Sequence, residues 1–284
     1  MSFITRTTTT ILNTSKILLW MLVCLTTAIT FASTPASTNN AADDVYERFN
    51  YDYLKNISDN WKFIATKDGI HLFEKGDGDE SPMAFRGIGI LNAPIYAVLH
   101  ALREVESSYL WTPNLIQKKM VKENNYLDAI TYNVNHLPWP ATDRDSLLHS
   151  VLKVDNSLDK KNKFINVLTK SVLHSDYPEL KDKVRGVLHS SNFILRQLGP
   201  NTTYVDLDAH FDPRGLIPKW LVNYVQRDWP YKFLKGLEKR ALENPIPSPH
   251  PEFVRTVNET NQHQQDLISN TASTASTTST TSKN

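Results

Sequence analysis

One junction in the 284-residue chain holds most of the information about its fold, namely Asp212-Pro213-Arg214-Gly215-Leu216-Ile217-Pro218-Lys219-Trp220-Leu221-Val222-Asn223. Residues 204–212 alternate between apolar and polar side chains, as a half-buried strand does. After the two prolines and the glycine, apolar side chains recur at helical spacing from Ile217 to Val225. The junction therefore predicts a strand that passes directly into a helix with a wide apolar face.

Turn-forming residues divide the middle of the chain into short segments rich in β-forming residues. The predicted strands are residues 69–75, 84–91, 115–122, 127–134, 146–154, 164–172, 184–198 and 202–211. The predicted helices are residues 44–54 and 57–63, a helix after Pro94, and a helix from Ile217 with a break or restart at Asp228-Trp229-Pro230. This order predicts an α+β fold, in which a curved antiparallel sheet grips a long C-terminal helix.

Six short pieces of the sequence resemble, in the same order, the START domain family, the steroidogenic-acute-regulatory-related lipid-transfer fold. The pieces are Trp61, Gly69-Ile70-His71-Leu72-Phe73, Trp111-Thr112-Pro113-Asn114, Pro140-Ala141-Thr142-Asp143-Arg144-Asp145, Tyr177-Pro178 with Val184-Arg185, and the junction quoted above. The resemblance spans about residues 45–245 and implies a helix-grip, START/Bet v 1-like fold. It also implies that the protein binds one lipid or other hydrophobic molecule in an internal cavity and transfers it between membranes.

Both chain ends are predicted to lie outside that domain. Residues 1–32, with an apolar run from Ile17 to Phe31 and small residues near Ala32, resemble a secretory signal peptide. We therefore expect an exported protein of bacterial type, periplasmic or secreted, with an uncleaved N-terminal anchor as the alternative. Residues 33–43 are expected to be a linker, 44–245 the START-like domain, and 246–284 a disordered tail rich in proline and then in serine and threonine.

The composition argues against several classes of function. The formal net charge is +1 and the sequence has no long basic run, so it lacks the charge pattern that is typical of nucleic-acid-binding proteins. The sequence also has no nucleophile motif, no phosphate or dinucleotide loop and no pair of histidines at metal-binding spacing. We therefore predict no catalytic residue, no metal and no cofactor. The oligomeric state is open.

Two other functions are compatible with the same fold. Cyclases and aromatases share the grip architecture, and inward-facing Thr131, Arg144, Ser150 or Arg185 could serve such an enzyme or a hydrolase. The other alternative is a ligand-gated adaptor whose tail recruits a partner. Both remain open at the level of sequence.

The residues predicted to bind the ligand lie on the middle strands, in the loops between them and on the C-terminal helix. They are Trp111, Thr131, Trp139, Arg144, Ser150, Arg185, Leu207, Trp220, Tyr224 and Phe233. Arg144 and Arg185 each have two interpretations, an ion pair that pins a loop or a cation that faces a phosphate or carboxylate headgroup. Some START domains hold a buried acidic–basic pair at the positions of Thr131 and Ser150. The resemblance therefore carries no sterol specificity to this chain, and the lipid class is open.

A gating loop is predicted at Leu137-Pro138-Trp139-Pro140, where START domains have a loop that closes against the C-terminal helix. Two prolines stiffen this segment, and Trp139 between them suits a membrane–water interface. The alternative is that Trp139 packs on the helix. We expect a transient membrane surface as a partner, beside the hydrophobic ligand.

Overall fold

The computed structural model describes residues 61–76, 84–155, 163–215, 217, 227–244, 248–262 and 265, all within the compact unit Ala41–Asn284. Several predicted features lie outside these residues. They are the signal peptide, the linker, the helix at 44–54, Trp220 and Tyr224 with the start of the C-terminal helix, and the end of the tail. No helix in the described part of the chain is long and apolar enough to cross a bilayer.

The described residues form one sheet of ten strands. The strands are β1 (Lys62–Lys67), β2 (Ile70–Lys75), β3 (Ala84–Leu91), β4 (Leu115–Asn125), β5 (Asp128–Asn135), β6 (Arg144–Asp155), β7 (Phe164–Ser171), β8 (Val184–Arg185), β9 (Val187–Gly199) and β10 (Thr202–Asp212). Their order across the sheet is β1-β2-β3-β10-β9-β7-β6-β5-β4. All these neighbours are antiparallel, and β8 alone pairs in parallel, with the start of β6. The chain therefore runs as a meander from β4 to β10, which closes against β3.

Three α-helices within the described residues accompany the sheet: α1 (Ile95–Arg103), α2 (Trp229–Glu243) and α3 (residues 251–262). α1 begins directly after Pro94. Proline is suited to this position because an N–H group there would have no partner within the helix. α2 begins at the break that the sequence predicts, with Pro230 in its first turn. α2 packs on α1 and on strands β2 and β3. We call the sheet face that α1 and α2 cover the inner face.

Two glycines set how closely α2 approaches its neighbours. A Cβ atom on Gly87 of β3 would lie 2.9 Å from Cβ of Pro230 and 3.2 Å from Cδ1 of Leu234. A Cβ atom on Gly236 of α2 would lie 2.3 Å from the carbonyl oxygen of Trp111. A larger side chain at Gly236 would push α2 away, because a backbone carbonyl cannot yield as a flexible side chain does. A larger side chain at Gly87 would press on the ring of Pro230 and on Leu234.

The main core lies between the inner face and the three helices. β10 contributes Val205 and Leu207, which are alternate residues of the apolar face predicted for this strand. α2 contributes Leu234, which is fully buried. Burying one such aliphatic side chain contributes about 1.5–3 kcal/mol to folding. Two smaller apolar clusters form around Tyr204 and around Tyr132.

The first strand corrects the predicted helix at residues 57–63, because Lys62 and Phe63 already belong to β1. Asp68 and Gly69 follow β1 with φ angles of 47° and 76° and turn the chain directly into β2. Two consecutive residues with positive φ are typical of a tight hairpin. The sequence prediction placed Gly69 inside a strand and therefore missed this hairpin.

Helix α3 corrects part of the disordered tail predicted for residues 246–284. Phe253 and Val257 are four residues apart and share one helix face, and both are buried in the main core. Just before the helix, the ring of His250 stacks on Tyr126 with 3.4 Å between centroids. The polar average composition of the tail concealed this short apolar stripe.

Candidate functional site

A cavity of about 340 Å³ lies between the inner face of the sheet and α2. This volume is at the lower end of the range of roughly 300–1,000 Å³ that is common for small-molecule sites. Most of the residues that line it are apolar, among them Phe85, Val167 and Leu207 on strands and Phe233 on α2. The walls can therefore hold an apolar molecule by excluding water from it.

A row of small residues creates the space. Ser150, Thr169, Ser191 and Ala209 are cross-strand neighbours on four adjacent strands, and all four line the cavity. Paired residues in a sheet project from the same face, so four short side chains lie side by side there. Their hydroxyls are satisfied locally: Ser150 Oγ lies 3.0 Å from Thr169 Oγ1, and Ser191 Oγ donates to the Asp208 carbonyl at 2.8 Å. The row forms a low floor without unpaired hydroxyls.

Aromatic side chains form the wall on the helix side. Phe233 of α2 stacks on Trp229, with 4.8 Å between ring centroids, and lies 5.3 Å from Trp111. Across the cavity, the ring of Phe193 on β9 meets Phe233 edge-on at 6.1 Å. Phe233 therefore connects the helix to the sheet at one side of the cavity.

Besides Thr131 and Ser150, five polar residues from β4, β5 and β6 line the cavity, and we call these five the polar wall: Lys118, Asn133, Asn135, Arg144 and Ser146. Lys118 pairs with Asn133 and Asn133 pairs with Ser146, while Asn135 pairs with Arg144. Cross-strand partners share a face, so these side chains lie together. Lys118 and Arg144 are the charged residues among the described lining residues, which include no aspartate or glutamate.

Lys118 is a partly buried ammonium group beside the cavity. Its Nζ donates to the carbonyl oxygen of Glu104 at 3.3 Å. Burial, and then the charge of Arg103, lower the pKa of Lys118 to about 8, while the charge of Glu104 acts in the opposite direction. Lys118 is therefore still mostly protonated at neutral pH.

Arg144 is 2% exposed and is held by backbone carbonyls. Its Nε donates to the Pro213 carbonyl at 2.8 Å, its Nη2 donates to the Arg214 carbonyl at 2.9 Å, and its Nη1 donates to the Thr142 carbonyl. Burial lowers the pKa of Arg144, which nevertheless remains a cation. Arg144 thus fastens the segment after β10 to the start of β6, and it does so through backbone carbonyls rather than through an ion pair.

Arg185 lies on the opposite side of the sheet from Arg144 and binds Asp145. Its Nε and Nη2 donate to the two carboxylate oxygens of Asp145 at 2.9 and 2.8 Å, and Asp145 is 0% exposed. The hydroxyl of Tyr132 donates to the same carboxylate at 3.1 Å. Burial, and then the charge of Asp145, raise the pKa of Tyr132 to about 12. Arg185 is not among the described lining residues, so its geometry supports the structural interpretation.

The structure brings most of the other predicted ligand residues together. Trp111, Thr131, Ser150, Leu207 and Phe233 line the cavity, as does Leu137 of the predicted gating loop. Thr131 Oγ1 accepts a hydrogen bond from Asn133 Nδ2 at 3.0 Å.

The tip of the gating loop points away from the cavity. Trp139 is 89% exposed, and neither it nor Pro138 nor Pro140 is a described lining residue. The alternative interpretation, in which Trp139 packs on the C-terminal helix, is therefore not supported for the described part of that helix. Trp220 and Tyr224 lie outside those residues and stay predictions.

Sequence reasoning missed Lys118, because its direction depends on an irregularity in β4. Leu115 faces the cavity, and regular alternation would turn residues 117 and 119 toward it as well. The register shifts between Leu115 and Gln117, so Lys118 pairs with Asn133 and faces the cavity, whereas Lys119 is exposed. Two consecutive lysines give no sign of such a bulge. Among the described residues, no group of three or more His, Cys, Asp or Glu is placed to hold a metal ion.

The family model of the START domain matches residues 52–245. The chain belongs to the START domain family. An uncharacterized protein of Pseudomonas aeruginosa is 28% identical over 187 residues, covering 65% of this chain and 88% of that protein. Mouse phosphatidylcholine transfer protein is 20% identical over 185 residues, covering 65% of this chain and 84% of that protein.

Solved structures agree with this START assignment. The crystal structure of human STARD10 matches with a TM-score of 0.59 at 20% identity, covering 70% of this chain and 80% of that one. A STAR-related lipid transfer protein from Xanthomonas axonopodis matches with a TM-score of 0.54 at 26% identity, covering 65% of this chain and 99% of that one. The predicted helix-grip fold is confirmed. Helix α3 lies beyond the segment that the START model matches.

Proposed function

We propose that this START domain binds a single lipid or other hydrophobic molecule in its cavity and transfers it between membranes. The observation that carries the proposal is the cavity of about 340 Å³ with apolar walls and one polar wall. Relatives named for lipid transfer and phosphatidylcholine transfer support it. No covalent step is part of the proposal.

The apolar walls can provide enough affinity for a carrier. Burial of about ten methylene groups at ~0.8 kcal/mol each amounts to roughly 8 kcal/mol before losses. After the losses of association, this is compatible with binding in the micromolar range. A transfer protein must also release its ligand, so affinity of this order suits the function.

The gate of the proposed mechanism lies where the loop 136–143 meets the segment after β10. Leu137 from the loop and Pro213 and Ile217 from the segment all line the cavity. Arg144 holds that segment through the carbonyls of Pro213 and Arg214. We propose that the predicted gating loop, residues 137–140, moves away from this segment to admit the ligand and then recloses.

The end of the sheet beside this gate carries two apolar side chains that are almost fully exposed. Trp139 is 89% exposed and Leu173 is 92% exposed. The loop after β5, the loop after β7 and the segment after β10 all leave the antiparallel sheet at this end. Burial of such side chains in a membrane interface removes apolar surface from water. We propose that Trp139 and Leu173 touch the membrane when the gate opens.

The compartment is proposed from the sequence alone. The signal-like pattern of residues 1–32 supports export to the periplasm or the medium, where a carrier would move lipid across water. N-terminal sequencing of the mature protein tests this, since a first residue near Ser33 is expected. An intact Met1 on the purified protein would contradict cleavage.

The proposed transfer is tested with a pair of neighbouring serines. Ser191 lies on the cavity floor, whereas Ser190 is exposed and pairs with His210. Ser191→Trp should fill the cavity and reduce transfer of a fluorescent lipid between vesicles about tenfold or more, because an occupied interior cannot also hold a ligand. Ser190→Trp adds the same side chain outside and should transfer like the wild type. Equal transfer by both variants, or no transfer by the wild type, would overturn the proposal.

A further inference from the structure

The polar wall carries positive charge that no described side chain neutralises by contact. Lys118 and Arg144 are its charged residues, and neither forms an ion pair within 4.0 Å with a described carboxylate. Three backbone carbonyls surround Arg144, and one carbonyl accepts from Lys118. Neutral carbonyls solvate a cation but do not cancel its charge. The cavity is therefore positively charged on this side.

The charged groups around Lys118 do not change this conclusion. Arg103, at the end of α1, adds a second positive charge and pairs with Glu123. Glu104 is the nearby acid, but Arg240 of α2 binds its carboxylate through Nε at 2.9 Å and through Nη2 at 2.9 Å. Glu104, the described acid that acts on Lys118, is thus already balanced by Arg240.

The same region holds spare hydrogen-bond donors. Arginine has five N–H groups, and Arg144 uses three of them on the carbonyls. Lys118 has three N–H groups and uses one. A ligand group that supplies acceptor oxygens and negative charge would give partners to the spare donors of Lys118 and Arg144.

We propose that the lipid carried by this protein bears an anionic group, a phosphate or a carboxylate, which binds at the polar wall beside Lys118 and Arg144. The inference rests on the proposed lipid binding and names the class of ligand. An uncharged headgroup leaves Lys118 without an anionic partner and leaves Arg144 with only the charge of the nearby Asp143, and a zwitterionic headgroup brings a third positive charge along with its phosphate. An anion accepts charge-assisted hydrogen bonds from both residues.

Two adjacent lysines provide a matched test. Lys118 faces the cavity, whereas Lys119 is exposed, so Lys118→Met and Lys119→Met remove the same charge from opposite sides of β4. Arg144 is unsuitable for the first test, because it also fastens the segment after β10. The probes are oleate and oleyl alcohol, which share one chain and differ in charge, and their binding is measured by titration calorimetry.

The wild type should bind oleate about tenfold more tightly than oleyl alcohol, because one charge-assisted hydrogen bond contributes a difference in affinity of about this size. Lys118→Met should lose this preference by weakening oleate alone, and Lys119→Met should keep it. Equal affinity of the wild type for both probes would overturn the inference, as would equal losses in the two variants. Binding of oleyl alcohol that Ser191→Trp abolishes would still support the proposed carrier, so the two failures are distinguishable.

Oleoyl lysophosphatidate in the same titration distinguishes the two anions. Tighter binding than oleate supports a phosphate, and weaker binding supports a carboxylate. A pH series gives an independent result. Because the pKa of Lys118 in the empty cavity is about 8 and a bound anion raises it, oleate affinity should fall several-fold from about pH 7 to about pH 10. The Lys118→Met variant should show no such fall, and a fall of the same size in it would contradict the assignment.

Discussion

The carbonyl oxygen of Trp111 and the α-carbon of Gly236 lie so close that a Cβ on the glycine would be 2.3 Å from the oxygen. Trp111 lines the cavity and Gly236 belongs to α2, which covers it. The absence of a side chain at Gly236 therefore sets the distance between α2 and the ligand site. A backbone oxygen cannot rotate away, so this contact has little freedom to adjust.

We predict that Gly236→Ala destabilises the protein by about 1–3 kcal/mol, because overpacking must displace the helix. In an unconstrained helix the same change is stabilising by about 1 kcal/mol, so the expected sign is opposite to helix propensity. Urea unfolding measures the difference. Lys239→Ala, on an exposed position of α2, is the control and should change stability little. A Gly236→Ala variant as stable as the wild type would refute the close contact.

Arg185 should matter for stability and not for ligand binding. Arg185→Met leaves Asp145 buried without its partner, which typically costs about 3–5 kcal/mol. Adding Asp145→Asn should restore part of the stability, because the uncompensated charge is removed. The exposed pair of Arg255 and Glu252 offers a control, since Arg255→Met should cost at most about 1 kcal/mol. If the folded double variant bound lipid at least tenfold more weakly than the wild type, Arg185 would belong to the ligand site after all.

Asp208 predicts a pH-dependent stability. Burial, and then repulsion by Asp206, raise the pKa of Asp208 to about 6, and Asn192 donates to its carboxylate at 3.2 Å. Because the folded state binds this proton more tightly than the unfolded state does, the stabilisation is present at low pH and is lost as pH rises from about 4 to about 6. Asp208→Asn should therefore be more stable than the wild type at neutral pH, by up to about 2–3 kcal/mol, and equal to it below about pH 4. Thermal or urea unfolding of both proteins across this pH range tests the prediction. If Asp208→Asn differed from the wild type in stability by the same amount at every pH, the titration of Asp208 would be excluded as the cause.

Trp139 and Leu173 should affect transfer more than stability. Trp139→Ala or Leu173→Ala should slow exchange of a fluorescent lipid with vesicles several-fold, because each removes apolar surface that enters the membrane. Each should change the free energy of unfolding by less than about 0.5 kcal/mol, since both side chains are exposed. Leu242→Ala, which changes another exposed apolar side chain, is the control for nonspecific binding to vesicles. A loss of stability without slower exchange would reject the membrane contact.

The regular features of the fold were predictable from local patterns. The alternation in residues 204–212 and the proline signals at Pro94 and Pro230 agree with β10 and with the starts of α1 and α2. Strand periodicity and proline geometry act within a few residues, so sequence alone reveals them. The resemblance to START domains supplied the rest of the architecture.

What the sequence could not show depends on contacts between distant residues. Asp145 binds Arg185 rather than Arg144, because the side chains of Asp145 and Arg185 project from one face of the sheet and that of Arg144 projects from the other. The inward direction of Lys118 follows from one register shift in β4. The outward direction of Trp139 in the gating loop likewise depends on how that loop folds. No local periodicity encodes these relations, because each is set by pairing across the sheet or by loop conformation.

Native mass spectrometry of the gently purified protein is the most direct test of a ligand-holding interior. The account predicts one additional mass of lipid size per chain in the wild type and in Ser190→Trp, and no such mass in Ser191→Trp. A wild-type chain that carries no added mass, even after incubation with oleate or lysophosphatidate, would contradict it.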